Sequence, residues 1–184
     1  MVLVGFDSIT DFDAPLAADH LTSTGVPVDV RDVTIQFPGD LSADAKVTRY
    51  AKLLDTNGDV TVSETGGGGH RPARDALADR FKIYLDDETR VGFPAVLGDA
   101  NAATVRAALG TSLGADVFEV PMGPPSLPGL RLEDQLFDAL SDAGGFIESG
   151  NPVIDYTDDG SGTVEKVIVE RNGAEIPMRA EQYI

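Results

Sequence analysis

Apolar and polar positions along the first two thirds of the chain alternate between strand-like and helix-like spacing. Val2–Phe6 is a short apolar run. Asp11 and Asp13 follow as candidate N-caps, then Pro15 at a helix start and apolar positions as far as Leu21. From Val26 to Gln36 apolar residues recur at Val28, Val30, Val33 and Ile35, the period of a half-exposed strand. Ser42 or Asp44 would cap a helix carrying Ala45, Val47, Tyr50, Ala51 and Leu54 on one side. Asp55 to Gly69 is polar and ends in four glycines, which predicts a mobile loop before a helix from Arg71 to about Leu85. Val91–Leu97 then reads as a buried strand, Asn101–Leu109 as a helix and Asp116–Val120 as a strand. Repeated β-α alternation predicts an α/β fold, a Rossmann-like and mostly parallel sheet with helices on both faces.

The pattern changes after Pro121. A loop dense in Pro and Gly leads to a helix from about Leu130 to Ala143, with Leu132, Leu136, Ala139 and Leu140 on its apolar face. Short strands are predicted at Phe146–Glu148, Val153–Tyr156, Thr163–Arg171 and Ala174–Met178. They are joined by Asp158-Asp159-Gly160-Ser161-Gly162 and by Asn172-Gly173, a strong hairpin signal. The expected division is a Rossmann-like region over 1–123, then the Pro/Gly loop, helix and small antiparallel β-meander over 124–184. Gln182-Tyr183-Ile184 reads as the start of a strand, the ending expected of an excised piece.

Composition narrows the partners. The 184 residues carry a formal net charge of −17, a field that repels phosphate backbones and excludes nucleic acid. Lysine occurs only at 46, 52, 82 and 166, while Asp outnumbers Glu by 22 to 9. A surface of short carboxylates with few lysine stems is the mark of a salt-in halophile, because molar salt cuts the screening length to about 3 Å and makes the self-repulsion tolerable. The fold is expected to weaken as KCl is withdrawn, a trend that melting curves would read directly. No apolar run approaches the roughly 20 residues that span a bilayer. The absence of Cys removes disulfides, thiolate catalysis and thiolate metal sites, and a cytoplasmic location is expected.

Several motifs are decoys. Gly110-Thr111-Ser112-Leu113-Gly114 fits the pattern of a hydrolase elbow, but that turn needs a strand before the serine and a helix after it, and here the order is reversed. A helix ending on glycine is the expected reading. Asp55, Asn57 and Asp59 have calcium-loop spacing, yet Val60 stands where the loop needs Gly and Gly66 where it needs Glu, so a solvated acidic turn is expected. Gly66–Gly69 with His70 and Arg71 lacks the Lys of a phosphate loop and reads as a flexible loop. His20 and His70 are the only histidines, and no metal site follows from them.

One segment carries more. Pro124-Pro125-Ser126-Leu127-Pro128-Gly129 followed by Leu130-Arg131-Leu132 is a rigid path into a helix, of the kind that positions groups for a ligand. It resembles a loop of the flavoprotein B subunit family of anaerobic glycerol-3-phosphate dehydrogenase. The resemblance extends to Val4-Gly5 with Asp11-Phe12, to Arg49–Asp55, to Phe93–Gly98 and to Asn172–Arg179, in consistent order along nearly the whole chain.

The resemblance places the chain in the middle of such a subunit. It implies a parent that holds a flavin (FAD or FMN) and belongs to a complex oxidising sn-glycerol 3-phosphate to dihydroxyacetone phosphate, with electrons passed to quinone. The implied partners are a flavoprotein A subunit and an iron–sulfur membrane-anchor subunit, at the inner face of the cell membrane and without direct membrane insertion. No G-x-G-x-x-G is present, so the chain alone is expected to bind no flavin and to be inactive. Pro125, Ser126, Pro128, Gly129 and Arg131 would face the flavin domain, and the guanidinium of Arg131 would suit an anion unless it pairs with Asp134 on its own helix. Arg49 and Arg179 are further candidates, and no catalytic residue is identified. The competing reading is a stand-alone α/β ligand-binding or regulatory domain without redox activity.

Overall fold

The computed structural model describes residues 1–39, 47–64, 67–87, 89–124 and 126–183. The chain divides into two compact units, Met1–Asp134 and Gln135–Ile184. The first is built on a four-stranded parallel sheet in the order β2-β1-β5-β6. These strands are β1 (Val2–Phe6), β2 (Arg31–Ile35), β5 (Arg90–Pro94) and β6 (Asp116–Val120). Strand β1 is buried at every position, as a central parallel strand covered on both faces should be.

Alternation along the strands sorts side chains to two helical layers. Val2, Val4, Phe6, Val91 and Phe93 join the larger cluster, with Tyr50 and Leu54 of α2 (Val47–Thr56), Leu77 and Phe81 of α3 (Ala73–Lys82), and Val105 and Leu109 of α4 (Ala102–Leu113). Leu3 points the other way, to Ala14 and Ala18 of α1 (Ala14–Ser23) with Phe118 and Val120 beside them. The sheet therefore carries helices on both faces, as the sequence predicts. Gly92 makes this second layer possible, because a Cβ there would lie 2.6 Å from the Phe118 ring and 2.7 Å from Leu3. Helix α1 starts where the pattern puts it, with the Asp13 carboxylate accepting from Leu16 N at 2.9 Å.

Local departures have physical causes. The predicted strand from Val26 to Gln36 shrinks to Arg31–Ile35, since β2 is an edge strand paired only with β1, and Gly25 and Pro27 lie before it. The mobile loop predicted before Arg71 is instead an antiparallel hairpin, β3 (Asp59–Glu64) with β4 (Gly67–Pro72), in which Val62 pairs with Gly69 and Val60 with Arg71. Burial of Val60 in the main core, with Val62 packed against it, outweighs the poor strand propensity of the glycines. The candidate caps Ser42 and Asp44 lie outside the described residues. Gly110–Gly114 is the end of α4, closed by Gly114 at φ 69°, so Ser112 is not on an elbow.

Helix α5 (Leu127–Asp142) begins three residues earlier than expected, and its side chains at Leu132, Leu136 and Leu140 are exposed rather than packed. In the second unit β7 (Val153–Asp158), β8 (Val164–Arg171) and β9 (Ala174–Met178) form an antiparallel meander. Asn172 and Gly173 take φ of 53° and 77°, the left-handed pair that a tight hairpin requires. Phe146–Glu148 forms no strand. No helix among the described residues is long and apolar enough to cross a membrane.

Candidate functional site

Open parallel sheets place ligands beyond the carboxyl ends of their strands, where neighbouring crossovers diverge. That point falls between β1 and β5, since β2 flanks β1 on one side and β6 flanks β5 on the other. This edge carries the turn after Phe6, the Ala95–Asn101 turn after β5, and the segment between β6 and α5, besides the segment after β2. Ser8 Oγ on the first and Asp99 Oδ1 on the second are buried without a partner among the described residues.

The second turn is held by two charged networks. The Asp55 carboxylate, at the end of α2, accepts from Asp99 N at 2.8 Å, Ala100 N at 2.9 Å and Asn101 N at 3.1 Å. It thus satisfies the amides of the turn leading into α4, the N-cap amide of Asn101 among them, from a different helix and with charge of the sign that a helix N-terminus favours. Asp55 is in turn fixed from behind: Arg74 donates to Leu54 O at 2.7 Å and to Asp55 O at 2.8 Å, while Asn57 Oδ1 accepts from Arg74 N. Gly98, at φ 90°, has no room for a side chain between Asp55 and Val105.

Arg131 makes the second network. Its guanidinium meets Glu119 in a two-pronged pair, Nη1 to Oε2 at 2.7 Å and Nη2 to Oε1 at 3.0 Å, and also donates from Nε to Gly98 O at 3.0 Å. Glu119 Oε1 accepts from Leu97 N at 2.8 Å, so one largely shielded ion pair joins α5, β6 and the β5–α4 turn. The side chains are 16% and 11% exposed, dry enough for the forked geometry to hold a fixed orientation.

The structure treats the sequence-predicted residues unequally. Ser126 caps α5, its Oγ accepting from Gly129 N at 3.3 Å and its carbonyl from Leu130 N at 3.0 Å. Pro128 and Gly129 therefore belong to the first helical turn, not to a loop. Pro125 lies outside the described residues. Arg131 pairs with Glu119 and not with Asp134, the partner weighed from sequence. Arg49 is exposed on α2, and Arg179 is exposed beyond β9 in the second unit. Sequence reasoning missed Asp55 and Glu119. A carboxylate interrupting the apolar run Val117–Val120 is the one available signal for Glu119, because a charge inside a strand calls for a partner. Among the described residues no cluster of His, Asp and Glu is arranged to hold a metal ion.

Residues 1–184 match the FAD binding domain family. The chain belongs to this family. As a member of the FAD binding domain family, it is 60% identical over 183 residues to the probable anaerobic glycerol-3-phosphate dehydrogenase B subunit of Halobacterium salinarum, covering 100% of this chain and 42% of that protein. It is 25% identical over 193 residues to the anaerobic glycerol-3-phosphate dehydrogenase B subunit of Aliivibrio fischeri, covering 100% of this chain and 41% of that protein. The resemblance read from the residues is borne out along the whole chain. The chain spans less than half the length of the curated relatives it matches. No solved structure matches it.

The described residues do not fit the pyrophosphate of FAD at this edge. A dinucleotide cradle needs glycines in the first β-α turn so that the backbone can approach the phosphates. Here that turn carries Asp7, Asp11 and Asp13, and Asp13 already caps α1. In the turn that leads into α4, the amides of Asp99, Ala100 and the N-cap Asn101 are already taken by Asp55. A diphosphate at either helix would meet carboxylates where it needs donors.

Proposed function

We propose that the chain is the substrate or cap portion of an FAD-dependent B subunit of an anaerobic glycerol-3-phosphate dehydrogenase, with the FAD phosphates held by other parts of a longer polypeptide. The observation that carries this reading is 60% identity over the whole chain to the Halobacterium protein of that name. The parent complex would oxidise sn-glycerol 3-phosphate to dihydroxyacetone phosphate and pass electrons to quinone through a second flavoprotein subunit and an iron–sulfur anchor. The flavin supplies the redox chemistry, and the protein supplies shape, orientation and field.

In this reading the first unit is a rigid wall of the substrate cleft. Ser126, Pro128 and Gly129 present the start of α5 to the flavin domain, and Arg131 holds that helix to the β5–α4 turn. Because Glu119 and Gly98 occupy its guanidinium, Arg131 acts as a positioning residue. A substrate anion would have to displace a buried carboxylate to reach it. The exposed Arg49 and Arg179 remain available to anions or to partner subunits.

The test is to purify the whole subunit that contains this chain in molar KCl, measure its FAD by absorbance, and assay dye-linked oxidation of sn-glycerol 3-phosphate in the assembled complex. FAD and substrate-dependent reduction are expected. Arg131→Met should lower kcat/KM roughly tenfold to a hundredfold, through misplacement of the α5 start rather than loss of the flavin. A whole subunit without FAD, or a complex inert towards sn-glycerol 3-phosphate, overturns the reading.

A further inference from the structure

The second unit has almost no interior. Of its described apolar side chains only Val169 is buried, at 6% exposure, whereas Phe146 is 74%, Val153 61% and Tyr156 59% exposed. Strand pairing shows that these exposures are organised. Val153 lies opposite Val169, which lies opposite Ile176; Tyr156 lies opposite Val167, which lies opposite Met178. Two rows of three apolar side chains therefore stand on one face of the meander. The other face carries the row Asp155, Ile168 and Pro177 and the pairs Thr157 with Lys166 and Glu170 with Glu175. Beside the apolar rows Phe146 and Ile147, with Val169, Ile176 and Met178, line a groove of about 340 Å³, and Glu148 pairs with Arg171 at 3.5 Å on its wall.

A three-stranded sheet becomes stable when one face is packed, and an apolar face left in water marks an interface. We propose that this face is an interface covered by the remainder of the same flavoprotein subunit, whose apolar side chains complete a core around Val169. The inference rests on the reading of the chain as part of a longer subunit. Length supports that occupant, because the Halobacterium relative matched over the whole of this chain is more than twice as long.

The experiment compares the 184-residue chain with the whole subunit, both in molar KCl, by hydrogen exchange at the β8 amides, binding of an anilinonaphthalenesulfonate dye, and light scattering. The chain should be monomeric and bind dye, and its β8 amides should exchange on the order of a hundredfold faster than in the whole subunit. Ile176→Lys should lower dye binding by the chain, the exposed leucines of α5 keeping a remainder, and Tyr156→Lys, which reads the same face from β7, should destabilise the whole subunit more than the chain. Equal β8 exchange in the two proteins overturns the proposal. So does a dimeric chain with protected β8 amides, which identifies a second copy as the occupant. A monomeric chain that binds no dye and already protects β8 also overturns it, by showing that the first unit covers the face. FAD content separates the two readings: protected β8 amides without FAD sink the functional reading alone, and FAD with unprotected β8 amides sinks this one alone.

Discussion

The two units of this chain are made of the same amino acids but bury them to very different extents. In the first, a five-residue strand is inaccessible on both faces, and the aromatic rings of Phe6, Phe37, Tyr50, Phe81 and Phe93 interlock in edge-on and stacked pairs at centroid distances of 4.7 to 6.1 Å. In the second, strand pairing and turn chemistry are in order, yet among the described apolar residues only Val169 is withdrawn from water. Regular secondary structure therefore does not by itself make a core. What separates the units is a second layer: helices cover both faces of the parallel sheet, while the described residues supply the meander with no comparable cover of its own. The first unit holds its shape by packing, and the second by backbone hydrogen bonds and tight turns.

Mutations that remove packing should expose this contrast most strongly. Phe93→Ala, at a fully buried site between Phe6 and Phe81, is expected to cost about 3–5 kcal/mol, whereas Val169→Ala should cost only about 1 kcal/mol in the isolated chain. Urea unfolding of both variants checks the pair, and comparable losses would erase the distinction. Next in size, Arg131→Met leaves the largely shielded Glu119 without its ion-pair partner and should cost about 1–3 kcal/mol, much of it recovered when Glu119→Leu is added. A double-mutant cycle in the same denaturant reads the coupling, and additive losses would show that the pair does not act as one clamp.

Asp55→Ala removes the acceptor of three amides at the start of α4 and should cost about 1–2 kcal/mol, with faster hydrogen exchange at Asp99, Ala100 and Asn101. Unchanged exchange there would assign the turn's rigidity to Gly98 and Arg131 instead. The smallest effect belongs to the second unit. Hydrogen bonds from the Ser161 hydroxyl and amide, and then from Thr163 N, hold the exposed Asp159 carboxyl below its ordinary value. A depressed folded-state pKa favours the native turn above the ordinary carboxylate range, and that contribution disappears as pH falls through the folded value. Ser161→Ala should move the Asp159 titration upward in a carboxyl NMR experiment without affecting the melting of the first unit.

The legible part of the fold was the part written locally. Asp13 capping α1, Gly114 closing α4, the apolar run of β1 and the Asn172-Gly173 hairpin each depend on a few neighbouring residues, and all stand as the pattern predicts. The β3–β4 hairpin was misread because four glycines speak for a loop, and only the burial of Val60 against a core assembled from distant strands overrules them. Of the site, Arg131 was legible at the opening of a helix, but Ser126 was read as loop instead of cap, and the partner Glu119 was not legible.

The acidic charge, the lack of cysteine, the repeating β-α order and the resemblance to a flavoprotein subunit family were determined by sequence alone, since each is a property of composition or of short ordered segments. Tertiary structure decided where the charges go. Asp55 reaches amides 44 to 46 residues away, and Arg131 reaches Gly98 across 33. Such links depend on which strand ends the sheet brings to one edge, and no local period records them. The fold also revealed that the chain's own carboxylates occupy the cap of α1 and the turn leading into α4. The need of these amides for an acceptor is met from within, and the flavin phosphates are accordingly proposed to lie in the rest of the subunit.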